Sequence, residues 1–292
     1  MARNHRKDRA APFFPDLVNV RVTYTAVKDF DLDIVLAGLA PAHAADEPWP
    51  ARRITMVVPY AAGGPADNMA RKLASVLEAR LGQTIVVDNK AGAGGSLGSA
   101  EVAKAPADGY TLLIATSSTH SIGPNLNPNL PYKALGPDLD FTPIAHVANA
   151  PNVVLVPLSL PVKNIGELIA YAKARPGQLN YASSGNGTIV HLTSESFKSQ
   201  AGVFITHIPY RGTGPMLTDL LAGRTQATSA GTPALLPHIK SGKLRAIATG
   251  TLKRISSLPD VPTVQEFGFK NFETSQWYGM HAPAGTPPAI IK

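Results

Sequence analysis

The sequence has no cysteine. That excludes disulfides, thiolate metal sites, iron–sulfur clusters and a cysteine nucleophile. Charge is sparse: 16% of the 292 residues are Asp, Glu, Lys or Arg, against 44% hydrophobic. Such a balance excludes a disordered chain. No apolar run reaches the roughly 18 residues of a membrane-spanning helix. Aromatic residues make up 7%, and the net charge of +7 is spread thinly, with no basic block after residue 10. A nucleic-acid interface concentrates its charge on one stripe, so none is expected. A mild positive field suits a small anionic ligand better. His120, His191, His207 and His238 are dispersed, with no H-E-x-x-H spacing. Neither a metal nor a cofactor is expected.

The first 45 residues differ from the rest. Arg3, His5, Arg6, Lys7 and Arg9 form a basic start. Ile34 to Ala40 is apolar, and Ala42-His43-Ala44 before Ala45 has the small-x-small form of an export cleavage site. Asp29, Asp31 and Asp33 interrupt what should be a longer apolar stretch. Residues 1–45 therefore read as an atypical leader outside the fold, and the mature chain is expected in the periplasm.

After Ile54 the punctuation becomes regular. Ile54–Pro59, Thr84–Val87 and Tyr110–Ala115 read as buried strands. Between them, Ala66 to Leu81 has apolar residues at helical spacing and stops at Gly82. A short helix is expected after the glycine loop Gly92–Gly98. A second set begins near Pro151, with strands at Val153–Val156, Leu179–Ala182, Phe204–Pro209, Thr225–Ser229 and Leu244–Thr249. Its helices are expected at Ile165–Ala174, Ile189–Ala201, up to Leu221, and at Pro233–Ser241. Alternation of strand and helix marks an α/β sheet with parallel strands.

Three strand-to-helix junctions share one chemistry: Tyr60-Ala61-Ala62-Gly63-Gly64-Pro65, Ser183-Ser184-Gly185-Asn186-Gly187-Thr188 and Tyr210-Arg211-Gly212-Thr213-Gly214-Pro215. Each sets glycines and small residues just before a helix. There the first backbone N–H groups lack helical partners and the helix dipole is positive, so a carboxylate or phosphate fits. Glycine also serves ordinary tight turns; three such loops in two units favour an anion held between them. Asp67 reads as a cap near a helix start. His120, beside Ser117 and Ser118, and His191, after the Ser184 loop, either line the cleft or pack. Gly92-x-Gly94-x-x-x-Gly98 lacks the acid a dinucleotide fingerprint needs about 20 residues on. Gly94-Gly95-Ser96-Leu97-Gly98 matches G-x-S-x-G, which keeps an α/β hydrolase using Ser96 as an alternative, although the serine does not follow its strand directly.

The blocks Ile54–Arg71, Val86–Gly98, Ala107–Leu112, Leu179–His191, His207–Leu221, Leu236–Ala248 and Leu258–Val264, in this order, resemble the Bug family. These are extracytoplasmic receptors of tripartite tricarboxylate transporters. The resemblance runs from Trp49 to the last residue. It implies a two-domain periplasmic binding protein of the type II fold, a monomer that is no enzyme, closing over a small organic acid for membrane permease subunits. Domain 1 would span 46–149 plus 253–292, and domain 2 would span 150–252, with hinge crossings near Asn149–Asn152 and Thr249–Lys253. The resemblance places the ligand's carboxyl group between Tyr60–Asp67 and Tyr210–Pro215, partly through ordered waters, with Ser117–His120 and Ser183–Thr188 on the other sides. The candidate ligand-binding set is thus Tyr60, Ala61, Ala62, Gly63, Gly64, Asp67, Ser117, Ser118, His120, Ser184, Gly185, Gly187, Thr188, His191, Tyr210, Gly212, Thr213, Gly214 and Pro215. Ser229-Ala230-Gly231-Thr232 carries no acid where the family often has one, which disfavours a ligand amino group. The family continues with a helical segment beyond the position of Lys292, so a shortened domain 1, and with it a non-binding remnant, is the remaining alternative.

Overall fold

The computed structural model describes residues 48–270 and 272–292. The leader expected over 1–45 lies outside them. Strand β1 (Ile54–Val58) leads through the first glycine loop into helix α1 (Pro65–Leu81), and β2 (Ile85–Asn89), α2 (Ser96–Ala103) and β3 (Thr111–Thr116) follow. Next comes the long β4 (Phe141–Pro157), then α3 (Ile165–Ala174), β5 (Asn180–Ser183), α4 (Ile189–Ala201), β6 (Thr206–Pro209) and α5 (Thr213–Leu221). The chain continues through β7 (Ala227–Gly231), α6 (Thr232–Lys240), β8 (Leu244–Thr249) and β9 (Ser275–Pro283).

The strands form one ladder in the order β2-β1-β3-β9-β4-β7-β5-β6, with β8 also paired to β4. The parallel pairing expected from strand–helix alternation holds for β1, β2 and β3 and again for β5, β6 and β7. Strands β4, β8 and β9 depart from it, since β3–β9, β4–β9, β4–β7 and β4–β8 are all antiparallel. The strand expected at Val153–Val156 is only the end of β4. Its first part, Phe141 to Pro151, pairs with β9, while Asn152 to Pro157 pairs with β7 and β8. Pro143, His146, Asn149 and Pro151 interrupt the apolar pattern of that first part, and two register shifts accommodate it.

Alternation along the strands builds a core on both faces of each half, which is why these strands read as continuous apolar runs. Ile54, Met56 and Val58 pack with Ala66, Ala70 and Ala74 of α1, whereas Val57 packs oppositely with Leu113 and Ala115. Likewise Val154 and Val156 face one cluster, and Val153 and Leu155 another. Alanines four apart on α1 let the helix sit close to the sheet. Gly82 ends α1 in a left-handed conformation, its N–H bonded to the Glu78 carbonyl. Helix α4 starts at Thr188, whose hydroxyl caps the His191 N–H. Helix α2 begins at Ser96, inside the expected loop Gly92–Gly98, because its first turn follows a single 3-10 turn over Ala93–Gly95.

Leu258, Val264, Phe269 and Phe272 are buried with the clusters around β5 and β7. The chain returns to the β1 half only after Thr274, whose N–H bonds the Gly250 carbonyl at 2.6 Å.

Leu113 is fully buried in the central strand β3. Leu113→Ala should cost about 2–5 kcal/mol by lost burial and a residual cavity. Urea unfolding checks this; a cost under about 1 kcal/mol would mean that β3 is not core.

Candidate functional site

The three glycine junctions meet. The Ala61 N–H donates to the Arg211 carbonyl at 3.1 Å, backbone to backbone. Gly212 has φ +136°, and a Cβ there would lie 2.9 Å from the Ala61 nitrogen. A Cβ at Gly214 would overlap the Ala62 carbonyl oxygen. These two glycines are required because main chain from one half of the sheet lies directly on main chain from the other. A third bridge runs from the Ile189 N–H at the start of α4 to Ser118 Oγ, at 3.1 Å.

Between these contacts lies a narrow cavity, about 350 Å³ of empty space when the open solvent at its mouth is included. It is lined by Tyr60, Gly64, Pro65 and Ala66 at the start of α1, by Ser184 and Val190 beside the start of α4, and by Thr213 at the start of α5. Gly231, Gln276 and Tyr278 complete the wall. No charged side chain lines it. The positive end of three helices supplies the field instead. Each is worth about 0.3–1 kcal/mol to an anion, and up to about 2 where partly buried. Desolvating a carboxylate costs several kcal/mol, so direct hydrogen bonds must supply the balance.

Of the expected residues, Tyr60, Gly64, Ser184 and Thr213 line this cavity. Ala61, Ala62, Gly212 and Gly214 form the seam beside it, and Gly63 approaches Gly214 there. Pro215 is exposed on α5. Asp67 is buried but faces its own loop. Its Oδ2 accepts from the Gly63 N–H at 3.0 Å and from Arg71 Nε at 3.1 Å. Burial alone would raise its pKa, but Arg71, the Gly63 N–H and Asn89 outweigh burial and hold it below the usual range. Asp67 thus fixes the loop and is neutralised by Arg71. Tyr210 turns away too, its hydroxyl donating to Asp219 at 2.7 Å.

Ser184, Gly185, Thr188 and His191 hold one turn together. Ser184 Oγ donates to Thr188 Oγ1, which donates to the Gly185 carbonyl at 2.8 Å. Gly187 N–H donates to His191 Nδ1 at 3.2 Å. His191 stacks on His207 (ring centres 4.3 Å apart), and His207 stacks on Tyr181 (4.7 Å). His207 Nε2 lies 2.6 Å from Ser183 Oγ, which also bonds Gly185. Burial, then the neighbouring His191, pushes His207 down to about 4; burial likewise lowers His191. His120 does not line the cavity. It packs among Tyr132, Phe141, Trp277 and His281. Burial and the nearby His281 push it down to about 3. Ser117 is buried beside it, while Ser118 and Gly187 line a neighbouring cavity with Gly94 and Asn186. Ser96 Oγ donates to the Ala93 carbonyl at 2.8 Å, and no histidine bonds it among the described residues.

Pro65 and Ala66 fall within the expected Tyr60–Asp67 segment and Gly231 within Ser229–Thr232, but sequence reasoning did not single out Val190, Gln276 and Tyr278. The last two sit on β9, whose signal was the aromatic pair Trp277-Tyr278 before Pro283.

Residues 69–292 match the description "Tripartite tricarboxylate transporter family receptor". The chain belongs to this receptor family. It is 44% identical over 259 residues to protein BugT of Bordetella pertussis, covering 88% of this chain and 78% of BugT. A solved protein of R. palustris with adipate is 41% identical, with a TM-score of 0.79 over 83% of this chain and 80% of that one. MatC of Rhodopseudomonas palustris with bound malate is 34% identical, with a TM-score of 0.78 over 83% and 82%. The fold is therefore that of the family's periplasmic binding proteins.

The lowered histidines give a pH prediction. Between about pH 6.5 and 5 the unfolded chain binds protons that the folded chain refuses, so stability falls as pH falls. The lowered carboxylates, Asp67 among them, act only below this window. Melting temperature should drop steadily from pH 6.5 to 5 and less steeply in His207→Phe; a flat parent profile would contradict the half-buried, neutral His191–His207 pair.

Proposed function

We propose that this protein is a periplasmic receptor that captures a small organic carboxylate and delivers it to the permease subunits of a tripartite transporter. The observation that carries this reading is the convergence of three helix N-termini on one cavity with no charged lining. Backbone N–H groups of Ala66, Val190 and Thr213 and the hydroxyl of Thr213 are the donors that would seat the carboxylate. Adipate and malate in the two relatives support the ligand class. Among the described residues no helix is long and apolar enough to cross a membrane.

Binding, without catalysis, is the role we assign. The engaged Ser96 hydroxyl and the receptor character of the family both favour it. Residues 48–151 with 275–292 act as one lobe and 152–274 as the other. We take the last crossing at Thr274 and not at the expected Lys253 because Leu258, Val264, Phe269 and Phe272 pack with the clusters around β5 and β7, which supports this division. Release requires the Ala61–Arg211 and Ser118–Ile189 contacts to part, a hinge motion about Pro151–Asn152 and the Gly250–Thr274 pair.

A ligand at one hundred times its Kd adds about 2.7 kcal/mol to stability. For a chain of this size that raises the melting temperature by roughly 5–10 °C. At least one of adipate, malate and simple monocarboxylates should give a saturable rise of this order. No rise with any of them would overturn the reading. Gly214→Val should abolish the rise while far-ultraviolet circular dichroism stays unchanged; an unaltered shift would place the ligand elsewhere.

A further inference from the structure

We infer that Gln276 and Tyr278 form the selectivity wall of the cavity, accepting an oxygen-bearing second pole of the ligand and refusing an ammonium group. The inference rests on the receptor reading above. Side chains two apart on a strand share a face, and both residues line the cavity. Trp277 between them points the other way, into a groove with Pro143, His146 and His281. Strand β9 is held on both edges, with Tyr278 registered against Thr116 of β3 and Gln276 against Ala150 of β4. Main-chain pairing thus fixes both residues in the sheet, Tyr278 from both sides and Gln276 from β4.

Gln276 is only 9% exposed and Tyr278 only 4%. Neither the Gln276 amide nor the Tyr278 hydroxyl hydrogen-bonds another described residue. Their polar ends open onto the cavity, where a ligand oxygen can take the place of water. Gly231 keeps the space open, since a Cβ there would stand 3.6 Å from the Tyr278 hydroxyl oxygen.

The chemistry of the wall sets the choice. The Gln276 –NH2 and the Tyr278 O–H donate to a carboxylate, carbonyl or hydroxyl oxygen. Nothing on the wall neutralises a cation: the cavity has no Asp or Glu, and the adjoining Ser229-Ala230-Gly231-Thr232 has none either. With one carboxylate on the helix N-termini, the rest of the ligand meets this neutral, donor-rich surface. An ammonium there would be stripped of water without a counter-charge.

Calorimetric titration of matched acids tests this. The probes are succinate, butanoate and 4-aminobutanoate, and adipate, hexanoate and 6-aminohexanoate. In at least one length series the parent should bind the diacid most tightly and the amino acid most weakly. Gln276→Ala should weaken the diacid about tenfold or more, the worth of a hydrogen bond to a charged group, and leave the monoacid unchanged or tighter. Tyr278→Phe should act in the same direction. Gln276→Glu should reverse the order, so that the amino acid exceeds the diacid. If the parent binds these acids and the diacid-to-monoacid ratio is the same in all three variants, the inference fails alone. If the parent binds none of the six, the receptor reading falls and takes the inference with it.

Discussion

The seventeen residues of β4 are the constraint on which the rest depends. One strand serves two sets of partners, β9 before Pro151 and β7 with β8 after Asn152. A strand rises about 3.3 Å per residue, so β4 spans the molecule and sets the two parallel units side by side. Each unit presents the carboxyl ends of its strands, where loops carry function and ligands bind in open α/β sheets. The meeting of the Tyr60, Ser183 and Tyr210 loops follows from that placement. It is sealed where glycine permits contact between main chains, as at Gly212 and Gly214, and by the Ile189–Ser118 hydrogen bond.

The site is built from dipoles, with charge kept behind it. Asp67 and Arg71 neutralise each other outside the cavity, and Asp67 spends its carboxylate on the loop. The histidine column beneath the Ser183 loop is half-buried, and burial there favours its neutral form. An anion therefore meets no fixed negative charge and no salt bridge that must first break. Neutral donors also hold an anion less tightly than lysine or arginine would, which suits a receptor that must give its ligand up.

Much of this was legible in the residues. Helices Ile165–Ala174 and Ile189–Ala201 and strand Leu244–Thr249 stand where periodicity and glycine stops placed them, because local pattern and tertiary burial agree there. The three glycine junctions were legible for the same reason: only a close approach or a left-handed turn explains glycine directly before so many helices. The antiparallel part was not. Pro143, His146 and Asn149 hide the first part of β4, and β9 is a strand only because β3 and β4 hold it on either side. Gln276 and Tyr278 were missed with it. Asp67, His120 and Tyr210 have polar side chains close to the site in sequence, but their hydrogen bonds and packing turn them away, and spacing alone carries no orientation.

The central claim is that main-chain amides at three helix starts hold the ligand's carboxylate. Amide-resolved nuclear magnetic resonance during titration with adipate or malate tests it most directly. The account predicts that the largest shifts fall on Ala66, Val190 and Thr213, moving downfield together with one common affinity, as amides do on donating to an anion. Shifts confined to other segments, such as the groove beside Trp277 and His281, with those three amides unmoved, would contradict it.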